Sequence, residues 1–174
     1  LANDPRVPSD VRTRISRFGL ARDEFTDRDH WPWQLDVREA RRLLGEYVVT
    51  EHDCLGTRVP PDAIAMSASP LNAAHVQRYV TPQGFAQNEG AMEVAAPRPF
   101  PIPYGAILPK RGECTNLLVP GAVSASHAAL GALRAEVVLM ALGHSAGTAA
   151  ARATLQGVPV PGLDRASRPE RLVS

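Results

Sequence analysis

The chain has 174 residues, of which 44% are hydrophobic and 5% aromatic, and its 19 Lys+Arg nearly balance 18 Asp+Glu. That length carries one domain or slightly more, and a net charge of +1 gives no electrostatic footprint for nucleic acid or an anionic membrane. Two cysteines, Cys54 and Cys114, make neither a disulfide framework nor a zinc site, and no apolar run reaches the roughly 20 residues of a membrane span.

The chain opens on Leu1, without the basic and apolar regions of a signal peptide. The expectation is a processed chain or a piece of a longer one, in the cytoplasm or periplasm. Residues 1–30 are polar. Ser9 or Asp10 can cap a helix carrying Val11, Ile15 and Phe18, which Gly19 can close. Residues 23–29 read as a charged loop. After Trp31-Pro32-Trp33, Asp36 can cap a second helix over 37–44. Arg38, Arg41 and Arg42 share one of its faces, a solvated surface or a contact for a phosphate or an acidic substrate.

Residues 47–50 are a β-type run, and residues 64–69 and 75–80 read as two further short strands. Pro82-Gln83-Gly84 marks a turn. Four prolines over 96–104 exclude a helix or a central strand and predict an extended crossover. Residues 116–120 read as a short buried strand, and 121–131 as a small-residue loop. A long helix follows over 134–156, with Gly157 at its C-terminal stop. That helix is apolar on nearly every face and is therefore expected to be buried on several sides. Gly143 and Gly147 read as points of close packing. A short helix is predicted around residues 168–172.

The unit of strand, small-residue loop and helix presents unpaired amides and a partial positive charge to a ligand. It is equally the ordinary βα unit of a doubly wound sheet. The chain has no G-x-G-x-x-G, P-loop, H-E-x-x-H or G-x-S-x-G motif. His52 and Cys54 are at most half a metal site. Ser124 and Ser126 beside His127 do not make a catalytic triad, because triad members seldom lie side by side in sequence. No metal site is expected.

Several ordered segments resemble FAD-dependent oxidoreductases, the two-domain, glutathione-reductase-like flavoproteins common in bacteria. They include Ile102-Pro103-Tyr104, Leu108-Pro109-Lys110-Arg111-Gly112-Glu113-Cys114, Asn116-Leu117-Leu118-Val119-Pro120, Ser124-Ala125-Ser126-His127 and Gly143-His144-Ser145-Ala146-Gly147-Thr148. Upstream segments such as His75-Val76-Gln77-Arg78-Tyr79 and Gln87-Asn88-Glu89-Gly90 follow in the same order. The likeness spans about residues 8–172. Departures stand at Gly105-Ala106, Gly121-Ala122, Ala135-Glu136-Val137 and His144.

The resemblance implies an α/β (α+β) chain forming the C-terminal part of a Rossmann-like flavoprotein fold. Its segments would be helical over 1–45 and a β-rich substrate-domain piece over 46–104. Residues 105–174 would be the end of the FAD-binding domain, with a long buried helix. FAD is the implied cofactor and a small organic molecule the implied hydride donor. Ser124, Ala125, Ser126 and the amides of Arg134, Ala135 and Glu136 would bind the cofactor. A helix N-terminus there would stabilise the negative charge of reduced flavin. His127 would be catalytic, stabilising that charge or exchanging a proton. The glycine fingerprint would belong to a missing N-terminal FAD-binding part of the same chain, leaving these 174 residues inactive alone. The alternative is a non-catalytic assembly module packing on a partner that carries the fingerprint.

Overall fold

A computed structural model describes residues 2–34 and 39–163. The chain divides into two compact units, one ending at Arg38 and the other beginning at Glu39. The first holds α1 (Ser9–Ile15). Pro8, not Ser9 or Asp10, occupies its N-cap, with no side-chain cap, and the helix stops at Ser16, short of Gly19. Proline before the first helical residue costs nothing there, because that amide is an orphan in any helix. The charged loop contains a single 3₁₀ turn, Thr26–Arg28, and the Arg28 guanidinium stacks 3.7 Å from the centroid of the Trp33 ring.

The second unit is α+β and opens with a one-turn helix, α2 (Glu51–Cys54). Its strands are β1 (Ala63–Ser67), β2 (Leu71–Ala73), β3 (Gln77–Val80), β4 (Ala86–Glu89), β5 (Met92–Val94) and β6 (Phe100–Pro103). They pair as three two-stranded antiparallel sheets, β1 with β6, β2 with β5 and β3 with β4. Among the described residues no two strands run parallel, and the parallel contact present is the isolated bridge Val49–Ala125. The proline-rich stretch does form a strand, β6. Every strand of a two-stranded sheet is an edge, so prolines can turn their missing donor outward. The β3–β4 ribbon is exposed and tied across its strands by Gln77 to Glu89 and Arg78 to Asn88 side-chain bonds.

Three predicted elements are corrected. Residues 39–44 are not helical. They run extended, with the Leu43 amide on the Ala122 carbonyl and Gly45 bridged to Pro109; Asp36, Val37 and Arg38 lie outside the described residues. Residues 47–50 and 116–120 are not ladder strands either. Short apolar runs become strands only where a neighbour supplies a ladder, and here neither has one. The predicted helix near 168–172 also lies outside the described residues.

The C-terminal half holds α3 (His127–Leu133) and α4 (Glu136–Gln156), bent by 86° at the break between them. Among the described residues no single helix is long and apolar enough to cross a membrane. Gly157 closes α4 in the left-handed conformation, φ 65°, as its position predicts. The core is built from Phe100, Ile102, Ile107, Leu108, Leu133 and Leu142, all fully buried. α4 docks on β1, where the Ser145 hydroxyl donates to the Ile64 carbonyl at 2.7 Å. α3 docks on β2 so closely that a Cβ on Gly131 would stand 2.4 Å from the Asn72 carbonyl oxygen.

α4 is therefore not buried on several sides. Val138, Leu142, Ser145, Ala146, Ala149 and Ala153 face the core, while Val137, Met140 and Leu155 are 73%, 72% and 87% exposed. Gly143 and Gly147 have open space where close packing was expected, and Gly131 makes the close approach instead.

Candidate functional site

Ser126 caps α3, its hydroxyl accepting the Ala129 amide at 3.2 Å. The residues before it lie beside residues 45–49. The Val49 amide donates to the Ser124 carbonyl at 3.0 Å, and the Ser126 amide to the Val49 carbonyl at 2.8 Å. Ser124 is fully buried, and its hydroxyl accepts the Gly45 amide at 3.0 Å. Gly45 permits this approach, since a Cβ there would meet the Leu108 carbonyl at 2.6 Å. Ala125 is buried as well. Ser124 and Ser126 thus spend their hydroxyls on backbone amides, which fixes the loop that delivers His127.

His127 is the first residue of α3. Its Nδ1 lies 3.0 Å from the Glu39 carboxylate, and its Nε2 is buried without a hydrogen-bond partner among the described residues. Arg134 reaches the same carboxylate at 3.8 Å through Nη1 and donates from Nη2 to the Asn72 carbonyl at 3.0 Å. Glu39 therefore gathers two of the sequence-predicted site residues. Arg134 is the C-cap of α3, and its amide is spent on the Leu130 carbonyl. Its guanidinium, not its amide, is what it brings to the cluster. Ala135 is the N-cap of α4 and offers no side-chain cap, and Glu136 opens the helix.

Sequence reasoning missed two features, Glu39 and the α3 helix. Glu39 is brought to His127 only by the fold, across an extended segment that reads as helix. The α3 helix had a usable signal, Ser126 ahead of an Ala- and Leu-rich run, which Gly131 obscured.

A second polar cluster surrounds Asp53, whose carboxylate is fully buried. It accepts the Tyr47 hydroxyl at 2.6 Å, the Thr50 amide at 2.7 Å and Arg58 Nε at 2.7 Å. The Arg58 guanidinium also lies 4.7 Å over the Tyr47 ring. Burial alone would raise the Asp53 carboxyl. The bonds from Arg58, Thr50 and Tyr47 outweigh it and hold the carboxyl below its ordinary range. Burial, then the bond to Asp53, pushes Tyr47 up to about 12. Every partner of this cluster is internal, so it locks the start of α2, where Thr50 and Asp53 form a capping box. Burial likewise pushes the Cys54 thiol up to about 12, which keeps it protonated and inert.

A recess of about 310 Å³ opens at the C-terminal end of α4, beside Thr115, Asn116, Ala153, Gly157 and Val160. His127 and Arg134 are not part of its lining. Among the described residues no group of three or more His, Cys, Asp or Glu could hold a metal ion.

A family model described as FAD dependent oxidoreductase matches residues 5–172. No curated protein and no solved structure matches the chain.

Proposed function

The chain belongs to the FAD-dependent oxidoreductase family, whose cofactor is FAD, and we propose that it forms a flavin-facing wall of such an enzyme. In this reading His127 and the α3–α4 corner face the cofactor, and residues 124–126 form the buried support behind them. The substrate is a small organic molecule that gives up a hydride. The observation that carries the reading is His127 Nε2, a buried polar atom without a partner among the described residues. Buried polar groups are almost always paired, so an unpaired imidazole nitrogen suits a ligand group. The Arg134 guanidinium, held by the same Glu39 carboxylate, suits the electron-rich edge of an isoalloxazine ring. These residues therefore fit a flavin, which supplies the two-electron acceptor when bound. His127 holds or moves a proton at Nε2, Arg134 supplies positive charge, and Ser124 and Ser126 keep the loop rigid.

The 174 residues hold no G-x-G-x-x-G, the turn that cradles a dinucleotide pyrophosphate. The pyrophosphate is held, in this proposal, by an N-terminal part of the same polypeptide, and these residues alone are inactive. The outward face of α4, with Val137, Met140 and Leu155 exposed, supports a missing neighbour. It equally favours a second reading, a separate partner subunit carrying the fingerprint. The DNA around the codon for Leu1 separates the two. A strand-G-x-G-x-x-G-helix sequence in frame supports one polypeptide, a neighbouring gene supports the partner, and neither in reach refutes both. In the flavin-loaded protein Arg134→Met should make the bound flavin harder to reduce, because a nearby positive charge favours the anionic reduced form. An unchanged potential would remove Arg134 from the cofactor site.

A further inference from the structure

We propose that Glu39 is the positioning residue for His127, holding the neutral imidazole as the Nδ1–H tautomer and presenting Nε2 as a hydrogen-bond acceptor. Glu39 lies 3.0 Å from Nδ1. A carboxylate only accepts, so Nδ1 carries the hydrogen. One ring nitrogen's partner decides the state of the other. With Nδ1 protonated, the neutral ring has its lone pair at Nε2, the atom that is buried and unpartnered among the described residues.

Arg134 approaches the other Glu39 oxygen at 3.8 Å and is only 17% exposed. A doubly protonated ring would leave a buried Nε2–H with no acceptor among the described residues, at the full desolvation cost of an unsatisfied donor. The arrangement is a carboxylate–imidazole pair with one open end. It complements a ligand group bearing O–H or N–H, such as an alcohol or an amine, whose proton Nε2 can accept while Glu39 offsets the imidazolium that forms. That the open end faces the reacting ligand rests on the flavin-facing reading above; the role of Glu39 in fixing the tautomer does not.

The test reads the tautomer directly, without flavin. Multiple-bond ¹H–¹⁵N correlation spectra of the chain with ¹⁵N-labelled histidine, at alkaline pH, distinguish protonated from bare ring nitrogens. A His127→Phe variant assigns the signal among the five histidines. The wild type should show His127 predominantly as Nδ1–H, the minor form of free imidazole. Glu39→Ala should return it to predominantly Nε2–H. Glu39→Gln, whose side-chain carbonyl still accepts, should restore Nδ1–H. A wild-type ring in the Nε2–H form, or a tautomer unmoved by Glu39→Ala in a chain with native amide dispersion, overturns the proposal. If Glu39→Ala does not fold, the wild-type tautomer and the Glu39→Gln spectrum decide it. A failure here leaves the flavin-facing reading standing, since that is read from the potential of the Arg134 variant.

Discussion

Three helical glycines separate packing from propensity, because the structure gives the same substitution opposite signs. Alanine is favoured over glycine in a helix interior by about 1 kcal/mol. At Gly143 and Gly147, on the solvent face of α4, nothing lies within 4 Å of an added Cβ. Gly143→Ala and Gly147→Ala should each stabilise the chain by about 1 kcal/mol. At Gly131 the added Cβ would stand 2.4 Å from the Asn72 carbonyl oxygen, 2.5 Å from its carbon and 2.6 Å from its nitrogen. All three are backbone atoms, and that carbonyl also holds the Arg134 guanidinium. The α3–β2 contact must therefore open. Overpacking typically costs about 1–3 kcal/mol, and a backbone obstacle belongs at the upper end. Subtracting the propensity gain leaves Gly131→Ala destabilising by about 2 kcal/mol. Urea melts of the three variants against wild type read these values through the midpoint, with unchanged slopes as the check on two-state behaviour. A Gly131→Ala chain as stable as wild type would refute the α3–β2 packing. A loss of stability at Gly143 or Gly147 would refute the open α4 face.

The Asp53 cluster gives a pH signature at both ends. Asp53 is held below the ordinary carboxyl range, so its contribution is complete above the unfolded pKa and is lost as pH falls through the folded one. Tyr47 is raised to about 12, so its contribution is complete below the unfolded phenol pKa near 10 and is lost as pH rises towards 12. Difference absorbance of phenolate between wild type and Tyr47→Phe should find Tyr47 titrating near 12. Asp53→Asn should bring it down only part of the way, because burial is the larger cause; titration at 10 in the wild type would contradict the cluster. Asp53→Ala should cost about 3 kcal/mol, at the low end for a broken buried pair because Arg58, 46% exposed, stays solvated; a loss below about 1 kcal/mol would show the cluster to be incidental. In the native chain a thiol reagent should label Cys114, which is partly exposed, and spare the buried Cys54. Rapid labelling of both would contradict the burial of Cys54 in α2.

Elements with local signals were legible in the sequence. β1 and β3 fall within segments read as short strands, and the Gly157 stop follows from its position after the last helical residue. What failed depended on partners distant in the chain. Residues 116–120 look like a strand but find no ladder, and residues 39–44 look like a helix but are drawn out beside Ala122 and Pro109. Glycines misled twice. Gly131 disguised α3 as loop although its role is to let α3 touch the β2 backbone, and the Gly143–Gly147 spacing suggested packing where there is open space. His127 and Arg134 were visible as residues, but the carboxylate that joins them is supplied by tertiary structure.

In the proposed reading the flavin ring lies near His127 and Arg134, and the pyrophosphate is held outside these 174 residues. Gel filtration of the chain after incubation with FAD, followed by flavin absorbance, separates the possibilities. Flavin eluting with the small molecules, well behind a folded protein peak, is the predicted result. Stoichiometric flavin travelling with the protein would contradict it.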